Sequence, residues 1–186
     1  WGTGGGWNDA TPGAFPDWLE IDFTGDKTID EIDVFSVQDA YQTPGSPTLA
    51  TTFTLYGLRD FEVQYWTGAA WQAVPAGAIT GNTSVWRQVT FPALTTSRIR
   101  ILVTRAADQW SRVAEVEAWG GADGGTPPDP PGGAGVNVAL AANGASWLAS
   151  STYSPGYAGS GAINGDRTGA SWGNGGGWND ATPDTF

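Results

Sequence analysis

In residues 17–23, Asp-Trp-Leu-Glu-Ile-Asp-Phe, apolar side chains at positions 19, 21 and 23 alternate with acidic ones at 20 and 22. Successive side chains of a β-strand point to opposite faces, so this stretch predicts a strand with one buried face. Similar alternation recurs along the chain at 32–34, 61–65, 85–91, 99–103 and 114–118. Turn residues separate these runs at 24–26, 43–45, 67–68 and 81–82.

No stretch carries a helical stripe of apolar residues. Seven or more short strands with these turn signals predict an all-β protein, an antiparallel β-sandwich.

The composition narrows the classes of function. The 186 residues contain no Cys, Met or His, which excludes disulfides, Cys/His zinc sites and catalysis by imidazole. A formal charge of −11 argues against nucleic-acid partners and anionic lipid. No apolar run approaches the ~18 residues of a membrane span, so no membrane insertion is predicted. This composition favours a soluble protein that is extracellular or on the cell surface.

The two ends of the chain repeat one sequence. Residues 1–15, WGTGGGWNDATPGAF, match residues 172–186, WGNGGGWNDATPDTF, at twelve of fifteen positions. The chain is either a window of a tandem array or a permuted subunit whose end completes itself or a neighbour.

A Gly/Pro-rich linker, residues 120–135, has no large apolar residue and divides the chain. It separates a body, residues 1–119, from a C-terminal segment, residues 136–186.

Three motifs together resemble a known family. They are Ala-Ile-Asn-Gly-Asp at 162–166 followed by Ser-Trp at 171–172, the strand at 17–23, and Ser-Arg-Val-Ala-Glu-Val-Glu-Ala-Trp-Gly at 111–120. They resemble the discoidin domain, or coagulation factor V/VIII type C domain, whose bacterial relatives include the family-32 carbohydrate-binding modules. The resemblance implies a discoidin-like jelly roll whose opening strand lies in the C-terminal segment of this chain.

The acidic loop at 164–168 is a candidate calcium site. Ca²⁺ takes six to eight oxygen ligands, which mix carboxylates with hydroxyls and carbonyls. The resemblance implies a structural ion held by Asp166, Thr168 and Glu115, with carbonyls near Ala162 and Asn164. The alternative is an Asx turn in which Asp166 accepts hydrogen bonds from backbone amides.

The loop at 107–112 is a candidate sugar-binding site. An exposed aromatic ring and planar polar groups match the apolar face and the hydroxyls of a sugar. The predicted ligand-binding residues, in this loop and in neighbouring loops at the same end, are Trp110, Arg105, Asp108, Gln109, Arg112, Asp39, Tyr41 and Trp178. The alternative is that these Trp residues cover loops or pack between repeats.

Two functions remain open at this stage. The first is a non-catalytic carbohydrate-binding or adhesion module of a repetitive bacterial surface protein, with glycans as partners. The second is a structural subunit of a filament, stalk or sheath, in which neighbouring copies complete one another's sandwiches head-to-tail.

No enzyme is predicted, because the acidic pair Glu115 and Glu117 lies on a single strand with no evident cleft. The C-terminal segment is expected to dock on a body, with a slight preference for a neighbour's. On its own body, the two copies of the repeated sequence would compete for one place.

Overall fold

The computed structural model of the chain describes residues 15–120 and 135–181. Within these ranges the chain forms β-strands joined by turns, which confirms the predicted all-β class. The strands are β1 (Asp17–Ser36), β2 (Leu58–Trp66), β3 (Trp71–Ile79), β4 (Trp86–Ala106), β5 (Arg112–Gly120), β6 (Val136–Asn137), β7 (Ser146–Ala149) and β8 (Trp178–Asn179). Short 3₁₀ helices lie at Ala141–Asn143, Pro155–Tyr157 and Gly159–Ile163. None of the described helices is long and apolar enough to cross a membrane.

The eight described strands form one antiparallel sheet. Its order is β3-β2-β4-β1-β5-β6, while β7 pairs with β1 and β8 pairs with β5. The expected division into the two sheets of a sandwich is not seen in these residues. The reason is that β1 and β4, with 20 and 21 residues, stay paired with each other along both of their halves.

Each long strand joins two runs that the sequence pattern separates. The turn predicted at 24–26 lies inside β1, where the register with β4 shifts between Asp22 and Lys27. Gly25 adopts φ 74° there, so the turn-prone residues form a bulge after which pairing resumes. Strand β3 was not predicted, because Pro75 and Gly77 interrupt its pattern; an edge strand tolerates both.

The two faces of β1 carry two apolar clusters. Ile32 and Val34 belong to the main core, which fills one side of the sheet with fully buried aliphatic side chains from β1, β2, β4 and β5. On the opposite face Phe35 packs in a smaller cluster with Val37, Trp86 and Ala114. The smaller cluster supports the candidate site described below.

The C-terminal segment packs on the body of its own chain. Strand β7 pairs with β1 from Leu19 to Asp22, and β6 and β8 both pair with β5. The sequence analysis slightly preferred docking of this segment on a neighbour's body, whereas here it docks on its own. Gly120, the first residue of the linker, pairs with Val136, the first residue after it. Docking within the chain therefore requires only that the linker close as a loop. Residues 121–134 of the linker lie outside the described residues.

Candidate functional site: an aromatic cleft between the body and the C-terminal segment

An open cleft lies where the C-terminal segment meets the body. It encloses about 260 Å³ and is called the aromatic cleft below. Its lining residues come from five separate stretches of the chain: Val37, Tyr41, Tyr56, Trp110, Arg112, Tyr153, Tyr157, Trp172 and Asn179.

One wall of the aromatic cleft is a row of four rings. Trp110 packs edge-to-face on Tyr153 with centroids 5.1 Å apart, and Tyr153 packs on Tyr157 at 5.4 Å. Tyr157 in turn packs on Trp172 at 5.5 Å. Edge-to-face contacts of this kind are favourable at these distances and hold the rings in fixed orientations. The row joins the body, through Trp110, to the C-terminal segment.

The other wall comes from the body alone. Tyr41 and Tyr56 pack edge-to-face with centroids 5.6 Å apart. Both rings, together with Trp172, rest on the smaller apolar cluster of Phe35, Val37, Trp86 and Ala114. The cleft therefore has a packed apolar support beneath its aromatic walls.

Arg112 is the main polar group of the cleft. Its Nε donates to Oδ1 of Asn179 at 2.8 Å, and its Nη1 donates to Oδ2 of Asp108 at 2.6 Å. The guanidinium lies 5.2 Å from the ring centroid of Tyr56, a cation–π distance. Oδ1 of Asp108 also accepts the backbone N–H of Trp110. These contacts fix the guanidinium plane and the loop that carries Trp110.

The loop near Tyr41 is held by Asp39. Its carboxylate accepts the backbone N–H groups of Thr54 and Leu55, at 2.8 and 2.9 Å, and the hydroxyl of Thr54. Partial burial acts to raise the pKa of Asp39, but the hydrogen bonds from Leu55 and Thr54 outweigh it and the pKa is lowered. Asp39 therefore stays ionised and ties the loop of Tyr41 to the stretch that precedes Tyr56.

The predicted sugar-binding residues divide into three groups. Trp110, Arg112 and Tyr41 line the aromatic cleft. Asp39 and Asp108 hold the loops of the cleft in place, and Gln109 is exposed beside Trp110. Arg105 is not among the lining residues: its guanidinium forms an ion pair with Asp60, at 2.6 Å, on the surface of β2 and β4.

Trp178 was wrongly predicted as a ligand-binding residue. Its side chain is 0% exposed in the main core, and its Nε1 donates to the carbonyl of Ser151 at 2.9 Å. The neighbouring Asn179 lines the cleft instead. Adjacent residues of strand β8 point to opposite sides, so one faces the core and the other faces the cleft.

Four rings of the aromatic cleft were missed by the sequence analysis: Tyr56, Tyr153, Tyr157 and Trp172. Tyr153 is 54% exposed, which is unusual for so large an apolar ring. Tyr153 and Tyr157 lie in a Ser/Gly/Pro-rich stretch with no periodic pattern. Aromatic rings in such a stretch were the one available signal, since no strand pattern assigns these rings to the core.

Glu115, a candidate calcium ligand, lies fully buried on β5 beneath the loop of residues 164–170. Its carboxylate accepts the backbone N–H of Asn164 at 3.2 Å and of Gly165 at 3.0 Å. Burial raises its pKa to about 8, although these two hydrogen bonds act in the opposite direction. Ala162, just before this loop, is fully buried in the third 3₁₀ helix.

Asp166 forms the Asx turn that the sequence analysis left as the alternative. Its carboxylate accepts the N–H groups of Thr168 and Ala170, both at 2.9 Å, and the hydroxyl of Thr168. The oxygens of Glu115 and Asp166 thus face N–H and O–H donors rather than a common point. No group of three or more acidic, His or Cys side chains suited to a metal occurs in the part of the chain that the structure describes. Calcium stays a prediction.

The chain matches no protein family model and no curated protein. Among solved structures it is similar to chitosan-binding module 1 from a chitosanase/glucanase of Paenibacillus sp. IK-5. A crystal structure of a selenomethionine-labelled variant of that module has a TM-score of 0.43 and 16% sequence identity, over 59% of this chain and 71% of the module. A solution structure of the same module has a TM-score of 0.40 and 17% identity, over 58% and 72%. The similarity is distant and concerns the fold.

Proposed function

We propose that this protein is a non-catalytic carbohydrate-binding module and that the aromatic cleft takes the glycan. The observation that carries the proposal is the row of four rings from Trp110 to Trp172, opposite the Tyr41–Tyr56 pair. Sugar rings present apolar C–H faces, which pack on aromatic side chains, and hydroxyls at their edges.

Polar groups within the cleft suit those hydroxyls. The planar side chains of Arg112 and Asn179 are fixed by their mutual hydrogen bond. Tyr41, Tyr56 and Tyr153 line the same space, and a tyrosine hydroxyl can donate and accept a hydrogen bond. The described residues that line the cleft include no Asp or Glu, so they offer no pair of carboxylates for glycoside hydrolysis. Binding without cleavage therefore suits this lining best.

The charge balance favours a neutral or cationic glycan. A net charge of −11 repels sulfated and uronic polysaccharides at low salt. The proposed setting of such a module is the cell surface or the extracellular space, where polysaccharides occur. Neighbouring copies of the unit are the second class of partner that we propose.

The test is binding to a panel of polysaccharides by affinity gel and glycan array, with chitosan included and a sulfated glycan as the charge control. Trp110→Ala and Tyr153→Ala are expected to weaken binding to the retained glycan at least about tenfold, with little change in melting temperature. Trp71→Ala is the matched control. Trp71 lies on β3, outside the cleft, and its ring packs against the guanidinium groups of Arg98 and Arg100. Normal binding by both cleft variants would place the site elsewhere, and retention of no glycan would refute the function.

A further inference from the structure

The docked copy of the repeated sequence, residues 172–181, is held by specific contacts. Trp178 is fully buried in the core and pairs with Val113 of β5. Asp180 exchanges two hydrogen bonds with Ser111: Ser111 N donates to Oδ1 of Asp180 at 2.6 Å, and Asp180 N donates to the carbonyl of Ser111 at 3.1 Å. These contacts, with those of the stretches at 151–153 and 156–161, define a docking groove on the rest of the chain.

Close backbone approach adds a second constraint. A Cβ on Gly161 would meet the backbone of Gly175 and Gly177, and a Cβ on Gly156 would meet the carbonyl of Gly173. Glycines on both sides of the contact let the backbones meet. The docking groove therefore selects the sequence of the segment that enters it.

The first ten residues of the chain carry the same determinants. Trp7, Asn8 and Asp9 correspond to the docked residues 178–180, and the glycines at 4–6 correspond to those at 175–177. Trp1 and Gly2 likewise match the docked residues 172 and 173, and Ala10 matches 181. Every side chain of the docked copy that contacts the groove is thus repeated.

The one difference between residues 1–10 and 172–181 falls at position 174, where Asn replaces the Thr of position 3. The side chain of Asn174 is exposed and forms no hydrogen bond with a described residue; its backbone N–H bonds to Ser171. The difference therefore does not affect docking.

The N-terminal copy is also tethered near the docking groove. Asp180 bonds to Ser111, whose hydroxyl donates to Oδ2 of Asp17 at 2.8 Å, at the start of β1. The docked copy thus ends beside the strand into which the N-terminal copy leads. Six residues lie between Ala10 and Asp17, so the two Cα atoms can be up to ~24 Å apart when this stretch is extended.

We propose that the docking groove is an exchange site, which binds residues 1–10 in place of residues 172–181. Both copies bind with the same contacts, and only one can be docked at a time. The copy that loses the groove is a free docking sequence whose partner is the groove of a second copy of this chain. This gives the chain a built-in route to head-to-tail association.

The first experiment is a double-mutant cycle on the two equivalent tryptophans of the full chain, read out as melting temperature. Truncating a buried Trp that has no substitute costs about 10 °C or more in a chain of this size. Exchange predicts that Trp178→Ala lowers the melting temperature by less than about 3 °C, because Trp7 replaces it. Trp7→Ala alone is expected to be silent, and the double variant is expected to show the full loss. A Trp178→Ala variant as unstable as the double variant, or unable to fold, would overturn the proposal.

A second experiment detects the docked copy directly. The chain contains no Cys, so any disulfide must form between the introduced cysteines. The N–H of Ala181 donates to Oγ of Ser151 at 2.8 Å, so Ala181→Cys with Ser151→Cys is the positive control for cross-linking.

Ala10→Cys with Ser151→Cys tests the exchange, and gel mobility shows whether the cross-link lies within one chain or joins two. A cross-link of either kind that disappears with Trp7→Ala supports the proposal. No cross-link in the test pair, while the control pair forms one, would overturn it.

Discussion

The body and the C-terminal segment are folded by different means. The body is a ladder of long strands, of which β1 and β4 have 20 and 21 residues. In the C-terminal segment the strands β6, β7 and β8 have only two, four and two residues, and turns and 3₁₀ helices make up the rest. Regular backbone pairing thus holds the body, while the C-terminal segment depends on individual side-chain and glycine contacts with it.

This difference explains where the candidate sites lie. Trp110 and Arg112 of the body meet Tyr153 and Trp172 of the C-terminal segment in the aromatic cleft. Glu115 of the body likewise accepts the amides of the loop at 164–165. Loops held on a rigid sheet are where binding residues are usually found. Neither candidate site exists without the C-terminal segment, so disturbing the boundary between the two regions tests the comparison.

Removing the C-terminal segment is expected to have the largest effect. Ala139, Ala162, Ile163 and Trp178 are buried in the main core, and their loss exposes its apolar face and the edges of β1 and β5. Deleting residues 136–186 should leave the remaining chain insoluble or without a cooperative melt, as measured by circular dichroism and size exclusion. Adding the deleted segment as a peptide should restore the fold. A monomeric, cooperatively melting fragment would show that the body is self-sufficient.

The next effect concerns a single close contact between the two halves of the C-terminal segment. In Gly161→Ala the new methyl group overlaps the backbone of Gly177 and Gly175, which cannot yield without moving β8. We expect a loss of about 3 kcal/mol in the free energy of unfolding, measured with denaturant. Gly45→Ala is the control, because nothing lies within 4 Å of its new methyl group, and it should change stability by less than about 0.5 kcal/mol. Equal effects would mean that this contact does not specify the docking.

Calcium would strengthen the boundary between the two regions. If Asp166, Thr168 and Glu115 hold the ion, calcium at a hundredfold excess over its Kd stabilises the fold by about 2.7 kcal/mol. Chelation should then lower the melting temperature, and Asp166→Ala should remove this dependence. Asp26→Ala is the control, since Asp26 is an exposed residue of the β1 bulge. A melt that chelator leaves unchanged would contradict the calcium prediction and leave the Asx turn as the role of the loop.

A smaller effect on stability is expected from Asp33, a buried residue on the face of β1 that carries the smaller apolar cluster. Burial raises its pKa from 3.8 to about 7, and Glu31 and Glu117 add to the rise, although a hydrogen bond from Trp86 Nε1 acts against it. The folded state therefore holds a proton that the unfolded state loses at lower pH. The stability from this proton is complete below pH 3.8 and is lost as the pH rises through about 7.

Loss of the Asp33 proton should accordingly lower the free energy of unfolding by about 2 kcal/mol between pH 5 and pH 8, as measured by denaturant titration. Asp33→Asn should remove this part of the slope and leave the hydrogen bond from Trp86 in place. A second part of the slope is expected from Glu115, whose pKa burial raises to about 8, so Asp33→Asn should remove only its own part. A slope that Asp33→Asn does not change would assign the titration to another group.

The sequence by itself determined the all-β class and the main strands of the body. Period-two patterning such as Leu19, Ile21 and Phe23 is local, because one buried face requires it whatever the rest of the chain does. It also determined the repeat of residues 1–15 at 172–186, which a comparison of the chain with itself reveals. The patterning did not show that two runs form one long strand, since continuity across Gly25 depends on pairing with β4.

Only the tertiary structure decided which aromatic residues form the candidate site. Trp110 and Trp178 both stand in polar, turn-prone surroundings in the sequence, yet Trp110 lines the cleft and Trp178 is fully buried. The burial of a side chain depends on what covers it. Trp178 is covered by Val113 of β5 and by Ser151. In the sequence these two residues lie 65 and 27 positions before it. Contacts at such separations leave no local pattern, so the cleft emerges only when the C-terminal segment is docked on the sheet.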